Sequence, residues 1–218
     1  MIHEYVRTRY LAPRKLVSTA GRAYFHHMAD VDNHDGYLSG QLLIAMPQMS
    51  DPRFARSVVY LCAHNADGAM GLVVNRRLGA LSFKDLLTQM GLESGQVNDR
   101  IRLHFGGPVE SGRGFVLHTP DYQSEATMCV DDSFAMTATL DVLREIADGK
   151  GPVKAMLALG YAGWAAGQLD SEIQNNGWLH VPADQELVFG EDDASKWERA
   201  VAKVGIDLSL LSSESGHA

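Results

Sequence analysis

The sequence predicts an α+β domain in which hairpins and crossover helices follow one another in mixed order. Three observations lead there. Residues 56–64 and 69–75 are apolar, β-branched runs separated by Asn65-Ala66-Asp67-Gly68, the residues of a short hairpin turn. Helical spacing of apolar positions follows Ser82, precedes Gly149 and returns after Ser195. A chain of 218 residues, 45% of them hydrophobic, can bury one sizeable core, and it contains no long structureless linker or internal repeat.

Residues 41–46 form a first strand that ends at Met46-Pro47, and Ser50-Asp51-Pro52 turns the chain because a residue before proline avoids the helical region. In the run 56–64, Val58, Tyr60 and Cys62 point to one face and Val59, Leu61 and Ala63 to the other. Both faces are apolar, which places the strand in the middle of a sheet covered on both sides. Arg56 and His64 share a face but stand roughly 26 Å apart at about 3.3 Å per residue, too far to act as a pair. After Gly79, Ser82 and Asp85 make a capping box, Phe83, Leu86, Leu87 and Met90 mark an apolar stripe, and Gly91 stops the helix.

Residues 101–105 and 114–119 alternate apolar and polar side chains and read as half-exposed strands joined by a loop containing Gly106-Gly107-Pro108 and Gly112-Arg113-Gly114. Antiparallel pairing of the two would bring Arg102, His104 and His118 to one face. Residues 127–130 add an edge strand. Leu140, Leu143, Ile146 and Ala147 trace a helix closed by Gly149, and residues 154–161 form an apolar strand that runs into a glycine-rich bend. A helix beginning near Trp164 carries Leu169 and Ile173 and closes at Asn176-Gly177; residues 178–182 form a strand, and residues 195–204 the last helix.

Four ordered blocks carry a resemblance: residues 40–75, Phe105-Gly-Gly-Pro-Val109 with Arg113-Gly-Phe-Val-Leu-His118, Ala158-Leu-Gly-Tyr-Ala-Gly-Trp164 with Gly167-Gln-Leu-Asp170, and a closing Gly216-His-Ala218. Together they resemble the YqgE/AlgH family of small bacterial proteins, over a stretch from about Gly40 to the end. The resemblance implies a single domain built on a coiled, partly barrel-like mixed sheet with flanking helices. Some members of that family have been linked to transcriptional control, a link inherited by analogy, since likeness of fold carries no function without a site.

Composition bounds the partners. No apolar run approaches the roughly 20 residues that span a bilayer, and the N-terminus lacks a secretory signal, so a soluble, cytoplasmic protein is expected. Residues 1–27 carry five basic side chains and one acid, whereas 14 basic and 26 acidic residues follow from Met28 onward. A domain this acidic repels phosphate backbones, which argues against nucleic acid as a partner. Cys62 and Cys129 are the only cysteines, both within strand patterns, and are expected to be buried free thiols.

Gly160-Tyr-Ala-Gly-Trp-Ala-Ala-Gly167 is placed where a strand turns into a helix, where free backbone N–H groups can hold an anion. It has neither the Lys-Ser/Thr ending of a phosphate loop nor a dinucleotide spacing. The plainer reading of Gly160, Gly163 and Trp164 is a tight turn with the indole plugging the core. Arg102, His104, Arg113 and His118 form the second candidate, a polar patch for an anionic group. Its plainer reading is an outward strand surface.

Asp170 and Glu172, two apart on a helix, cannot face each other as an acid/base pair and read as solvated charges. The nine histidines show no metal-binding spacing within the domain, so no metal or other cofactor is expected. Ser57, inside a buried strand, is a poor nucleophile.

These residues favour a non-catalytic binding or regulatory module for a protein or small anionic ligand, acting through the patch around Arg113 and the Gly163-Trp164 bend. The alternative is a hydrolase or nuclease-like enzyme using His64, His118 and nearby carboxylates. Direct DNA binding by a transcriptional regulator follows from the family link and conflicts with the charge. The domain is expected over residues 40–218, and residues 1–39 are expected to be a leader that is disordered or lies upstream of a true start at Met28. Intact-mass measurement on the natural protein decides between the two: a chain beginning at Met28 supports the later start, and a mass that includes Met1 rejects it.

Overall fold

The computed structural model describes residues 36–79, 81–92 and 101–205. All but the last four residues of the expected leader, and the closing Gly216-His-Ala218 block, lie outside them. Among the described residues there are nine strands: β1 (Gln41–Ala45), β2 (Val58–Asn65), β3 (Gly68–Val73), β4 (Leu103–Phe105), β5 (Val109–His118), β6 (Thr127–Cys129), β7 (Ala135–Thr137), β8 (Ala155–Ala165) and β9 (Trp178–Pro182). Five helices accompany them among the described residues: α1 (Phe83–Gln89), α2 (Leu140–Ala147), α3 (Gln168–Gln174), α4 (Gln185–Phe189) and α5 (Lys196–Lys203).

The strands form one sheet in the order β6-β7-β5-β8-β3-β2-β1-β9, with β4 added beside β8. Every pairing is antiparallel except β4 with β8, so the sheet is mixed, and it curls as a half-barrel. This is the α+β architecture expected. The β2–β3 hairpin forms as predicted, and β2 is buried along its whole length between β1 and β3. The Ser82–Asp85 capping box starts α1, and residues 127–129 form an edge strand. The sequence reading contained neither β7 nor α4.

Two apolar layers sandwich the sheet. On one face Val58, Tyr60, Phe115, Leu117, Met156 and Ala158 meet α4 and α5 through Leu187, Val188, Trp197 and Val201. The other face is divided. Val59, Leu61, Trp164 and Trp178 pack under Leu169 of α3, while Leu103, Val116 and Leu157 pack under α1 and α2.

A glycine step in β8 makes this division possible. Up to Gly160 the alternation is ordinary, with Met156 and Ala158 in the first layer and Leu157 in the opposite one. Gly160 sits at φ +73 and advances the alternation by one residue. Beyond it Tyr161 packs toward the first layer while Ala162 and Trp164 enter the opposite one.

The loop after β4 locks onto this step backbone to backbone. Gly106 donates its N–H to the Leu159 carbonyl at 2.8 Å and accepts the Val73 N–H at 2.9 Å. A Cβ on Gly107 would stand 2.1 Å from the Tyr161 carbonyl carbon, and one on Gly160 would stand 2.4 Å from the Gly107 oxygen. The Gly-Gly-Pro motif and the glycines of β8, far apart in sequence, are one interlocked unit.

Several expectations are corrected. β4 and β5 do not pair with each other: β8 lies between them, parallel to β4 and antiparallel to β5. Sequence alternation reveals a strand but not its neighbour, and here the returning chain of β8 took the place of the hairpin partner. Nor are the two strands half-exposed at their histidines, since His104 is 1% and His118 0% exposed. The glycine-rich segment is no bend: β8 continues through Gly160 and Gly163 to Ala165, and α3 begins at Gln168. Cys129 is exposed on β6, unlike the buried Cys62.

Substitution at two left-handed glycines separates backbone strain from interlock. Gly167 (φ +68) has open space where a Cβ would go, so Gly167→Ala should cost about 1 kcal/mol from the left-handed conformation alone. Gly160→Ala adds the collision with Gly107 and should cost about 3 kcal/mol or more in urea unfolding. Equal losses would show that the two loops yield to each other.

Candidate functional site

β8 is the axis around which the candidate side chains are distributed. On the β4 side, Arg102 donates to the Phe189 and Gly190 carbonyls at 2.7 and 3.1 Å, closing the C-terminal end of α4. His104 Nε2 lies 3.2 Å from Asp193 Oδ1, and the same oxygen accepts from Lys196 Nζ at 2.8 Å. Lys196 is buried and also donates to the Val74 and Val188 carbonyls at 2.9 and 2.8 Å, so its three protons all have acceptors. Burial pushes the Asp193 carboxyl up, but hydrogen bonds from His104 and Lys196 and the ammonium charge outweigh it and leave it at about 2. Burial lowers Lys196, opposed by Asp193. This group pins α5 and the loop before it to the ends of β3 and β4.

On the β5 side, Arg113 reaches Glu110 Oε2 at 3.1 Å and lies over the Phe115 ring at 5.0 Å; Phe115 in turn meets Tyr161 edge-on at 5.7 Å. Val109 pairs with Tyr161, and the hydrogen side of Gly163 faces the Tyr161 ring. Arg113, Gly160 and Gly163 are therefore brought together at the irregular junction of β5 and β8, where the register shifts between Val109 and Gly114. Glu110 is held there at φ +46, a conformation few non-glycine residues adopt.

The other candidates lie elsewhere. His118 closes β5, with Nδ1 on the Thr119 carbonyl at 2.8 Å and Nε2 on the Thr137 hydroxyl at 2.9 Å. Trp164 is on the opposite face of the sheet, where its Nε1 and that of Trp178 both donate to Glu172 Oε2, at 2.9 and 2.8 Å. Glu172 is thus no solvated helix charge; it clamps two indoles. Asp170 remains exposed, and its Oδ2 stands 3.6 Å from His64 Nε2. The Leu38 N–H donates to His64 Nδ1 at 3.2 Å, which places the imidazole proton on Nε2, toward Asp170.

His64 and His118 do not meet. His64 is opposite Ala69, which is opposite Trp164, whereas His118 is opposite Ala155. Those positions, Ala155 and Trp164, are nine residue steps apart along β8, roughly 30 Å at the rise of a strand. Among the described residues, no group of three or more His, Cys, Asp or Glu side chains is arranged to hold a metal ion, and no helix is long and apolar enough to cross a membrane. Ser57 is buried, outside the strand proper and in the chain just before β2. Asp193 and Lys196 carried in the sequence only the signature of a charged helix start, and Glu172 read there only as a helix charge beside Asp170.

A family model described as AlgH-like matches residues 42–209. A UPF0301 protein of Rhodospirillum rubrum is 57% identical over 188 residues, covering 86% of this chain and 98% of its own length. A UPF0301 protein of Afipia carboxidovorans is 56% identical over 190 residues, covering 84% and 90%. Among solved structures, the AlgH protein from Pseudomonas aeruginosa superposes with a TM-score of 0.70 at 42% identity, covering 86% of this chain and all of that one. A protein from Corynebacterium diphtheriae shares the fold, with a TM-score of 0.66 at 21% identity over 86% of this chain and 97% of its own.

The two buried histidines give stability a pH dependence of definite sign. Burial lowers both, against the pull of Asp170 on His64 and of the Thr119 hydrogen bond and Asp121 on His118. Above the ordinary imidazole value of about 6.5 neither state is charged and the contribution is complete. As pH falls from there toward the depressed folded values, the unfolded chain takes up protons that the folded one refuses, and stability is lost. Urea midpoints should therefore fall between pH 7 and pH 5 and flatten in the His64→Gln/His118→Gln double variant. A wild-type midpoint constant over that range would contradict the assignment.

Proposed function

We propose that this chain, which belongs to the AlgH-like family, is a non-catalytic binding module of the cytoplasm that engages a protein partner at the junction of β5 and β8. The separation of His64 and His118 carries this reading against the hydrolase alternative. An acid/base pair must converge on one reacting group within hydrogen-bond reach, and these two lie on β2 and β5, level with opposite ends of β8, each with its own internal partners.

The junction offers what recognition needs. Val109 is 36% exposed, one of two large hydrophobic side chains at the surface among the described residues. It sits beside Glu110, whose left-handed backbone is the kind of strain that concentrates at functional positions. Arg113 lies beneath, already engaged by Glu110 and Phe115, so a small anion would have to compete with a carboxylate in place. A protein surface making apolar contact at Val109 has no such competition. Duplex DNA is disfavoured because residues 109–149 hold eight acids (Glu110, Asp121, Glu125, Asp131, Asp132, Asp141, Glu145 and Asp148) against Arg113 and Arg144.

Affinity capture from the natural host with mass spectrometry should recover a partner that Val109→Lys loses and Val153→Lys, at a site 82% exposed and remote in sequence, retains. Loss with both variants, or with neither, removes the junction as the recognition surface. Turnover of phosphoesters, esters or nucleic acids in a metal-supplemented screen, abolished by His118→Ala, would replace the binding reading with the enzymatic one.

A further inference from the structure

His118 is fully buried, yet a row of hydroxyls leads from it to the surface. Thr137 Oγ1 lies 2.9 Å from its Nε2, Thr127 Oγ1 lies 2.8 Å from Thr137 Oγ1, and Ser124 Oγ lies 3.0 Å from Thr127 Oγ1. Thr137 is buried, Thr127 half-buried and Ser124 exposed. The geometry also orders the protons. A carbonyl only accepts, so the Thr119 oxygen holds the proton on His118 Nδ1 and leaves Nε2 bare. Thr137 must then donate to Nε2. With its single proton spent, Thr137 can only accept from Thr127, and Thr127 in turn only from Ser124. Every hydroxyl in the row points toward the imidazole.

We propose that Ser124, Thr127 and Thr137 are a proton wire linking solvent to His118, and that the β6–β7 edge they belong to is thereby a pH-responsive element. A proton arriving from a hydronium ion or buffer acid binds Ser124 Oγ. The original Ser124 hydroxyl proton passes to Thr127, that of Thr127 to Thr137, and that of Thr137 to His118 Nε2. One proton leaves solvent and one appears on the imidazole, and each hydroxyl gives up one O–H bond and gains another, ending with the single proton it began with.

The product keeps its hydrogen bonds with the row reversed. Imidazolium Nε2–H donates to Thr137, Thr137 to Thr127, Thr127 to Ser124, and Ser124 to water. The flanking backbone donors serve both states: the Ser124 N–H reaches Thr127 Oγ1 at 3.0 Å and the Ala126 N–H reaches Ser124 Oγ at 3.3 Å.

The surroundings bias the charge in opposite directions. Burial disfavours the imidazolium, while Asp121, in the segment after β5, favours it. Tyr122 from the same segment lies edge-on to the ring at 5.6 Å; burial and the charges of Glu145 and Asp141 on α2 raise its hydroxyl, and a hydrogen bond with Ser124 opposes them. Before β8, Lys154 meets Thr119 through its backbone while its ammonium goes to Gln185. The β7 and β8 residues in register with His118 are both alanines, Ala135 and Ala155. The edge therefore senses pH through one imidazole, and this inference is independent of the recognition surface at β5 and β8.

Nitrogen-15 NMR of histidine-labelled protein tests it. Above neutral pH, His118 should be the Nδ1–H tautomer. During acid titration its proton exchange should slow about tenfold or more in Thr127→Val, which keeps the β-branched shape without the hydroxyl, and recover in Thr127→Ser. An Nε2–H tautomer in the wild-type protein overturns the wire even if the valine variant fails to fold. Equal exchange rates in wild type and Thr127→Val overturn it too, since a merely structural hydroxyl row would leave the rate unmoved.

Discussion

The contact between the Gly106-Gly107 loop and the Gly160 step of β8 is the constraint on which the rest of the molecule depends. β8 has partners along both edges: β5 on one, β4 and then β3 on the other. A strand shared this way must present different faces to different layers along its length. The step at Gly160 does so by advancing the side-chain alternation by one residue, sending Trp164 to the α3 side while Met156 and Ala158 stay under α4 and α5. The loop that bonds to Leu159 and Val73 then bridges β8 and β3 at the level where β8 passes from one neighbour to the other. Side chains at these glycines would force the backbones apart, and the half-barrel would lose the strand that joins its two ends.

Buried and half-buried polar side chains fasten the helices to this frame. Lys196, Asp193 and His104 tie the start of α5 to β3 and β4; Arg102 closes α4; Glu172 binds two indoles and so holds α3 to β8 and β9. Burying an ammonium and a carboxylate is costly unless each finds partners. Here a shared oxygen and two carbonyls supply them. Arg102, His104 and Glu172, which the sequence placed at the surface, are thereby committed to architecture, which moves the search for function to the surface, where the strained Glu110 and the exposed Val109 stand.

Much of the fold was legible because it rests on local rules. The β2–β3 hairpin announces itself by two apolar runs about a four-residue turn, and the Ser82–Asp85 box marks α1 at its first residue. The candidate patch was less legible. Arg102, His104 and His118 alternate with apolar neighbours as exposed side chains do, but their strands are flanked by β8 and covered by loops that return from residues 119–124 and 189–193. Burial contributed by distant segments leaves no trace in a local alternation. The Gly160 segment misled for a related reason: a bulge and a turn use the same residue type, and only the partner strand distinguishes them.

By itself the sequence determined the class of fold, the family, the central hairpin, the starts of α1 and α5 and the acidic balance, because each follows from spacing, capping or composition within a short window or from ordered motifs along the chain. Tertiary structure alone decided that β8 separates β4 from β5, that Arg113 and Gly163 share a junction while Trp164 faces away, and that His64 on β2 and His118 on β5 lie level with opposite ends of β8. These are long-range pairings. They are settled by which backbones can approach most closely and which apolar faces must be covered, quantities that exist only once the chain has closed on itself.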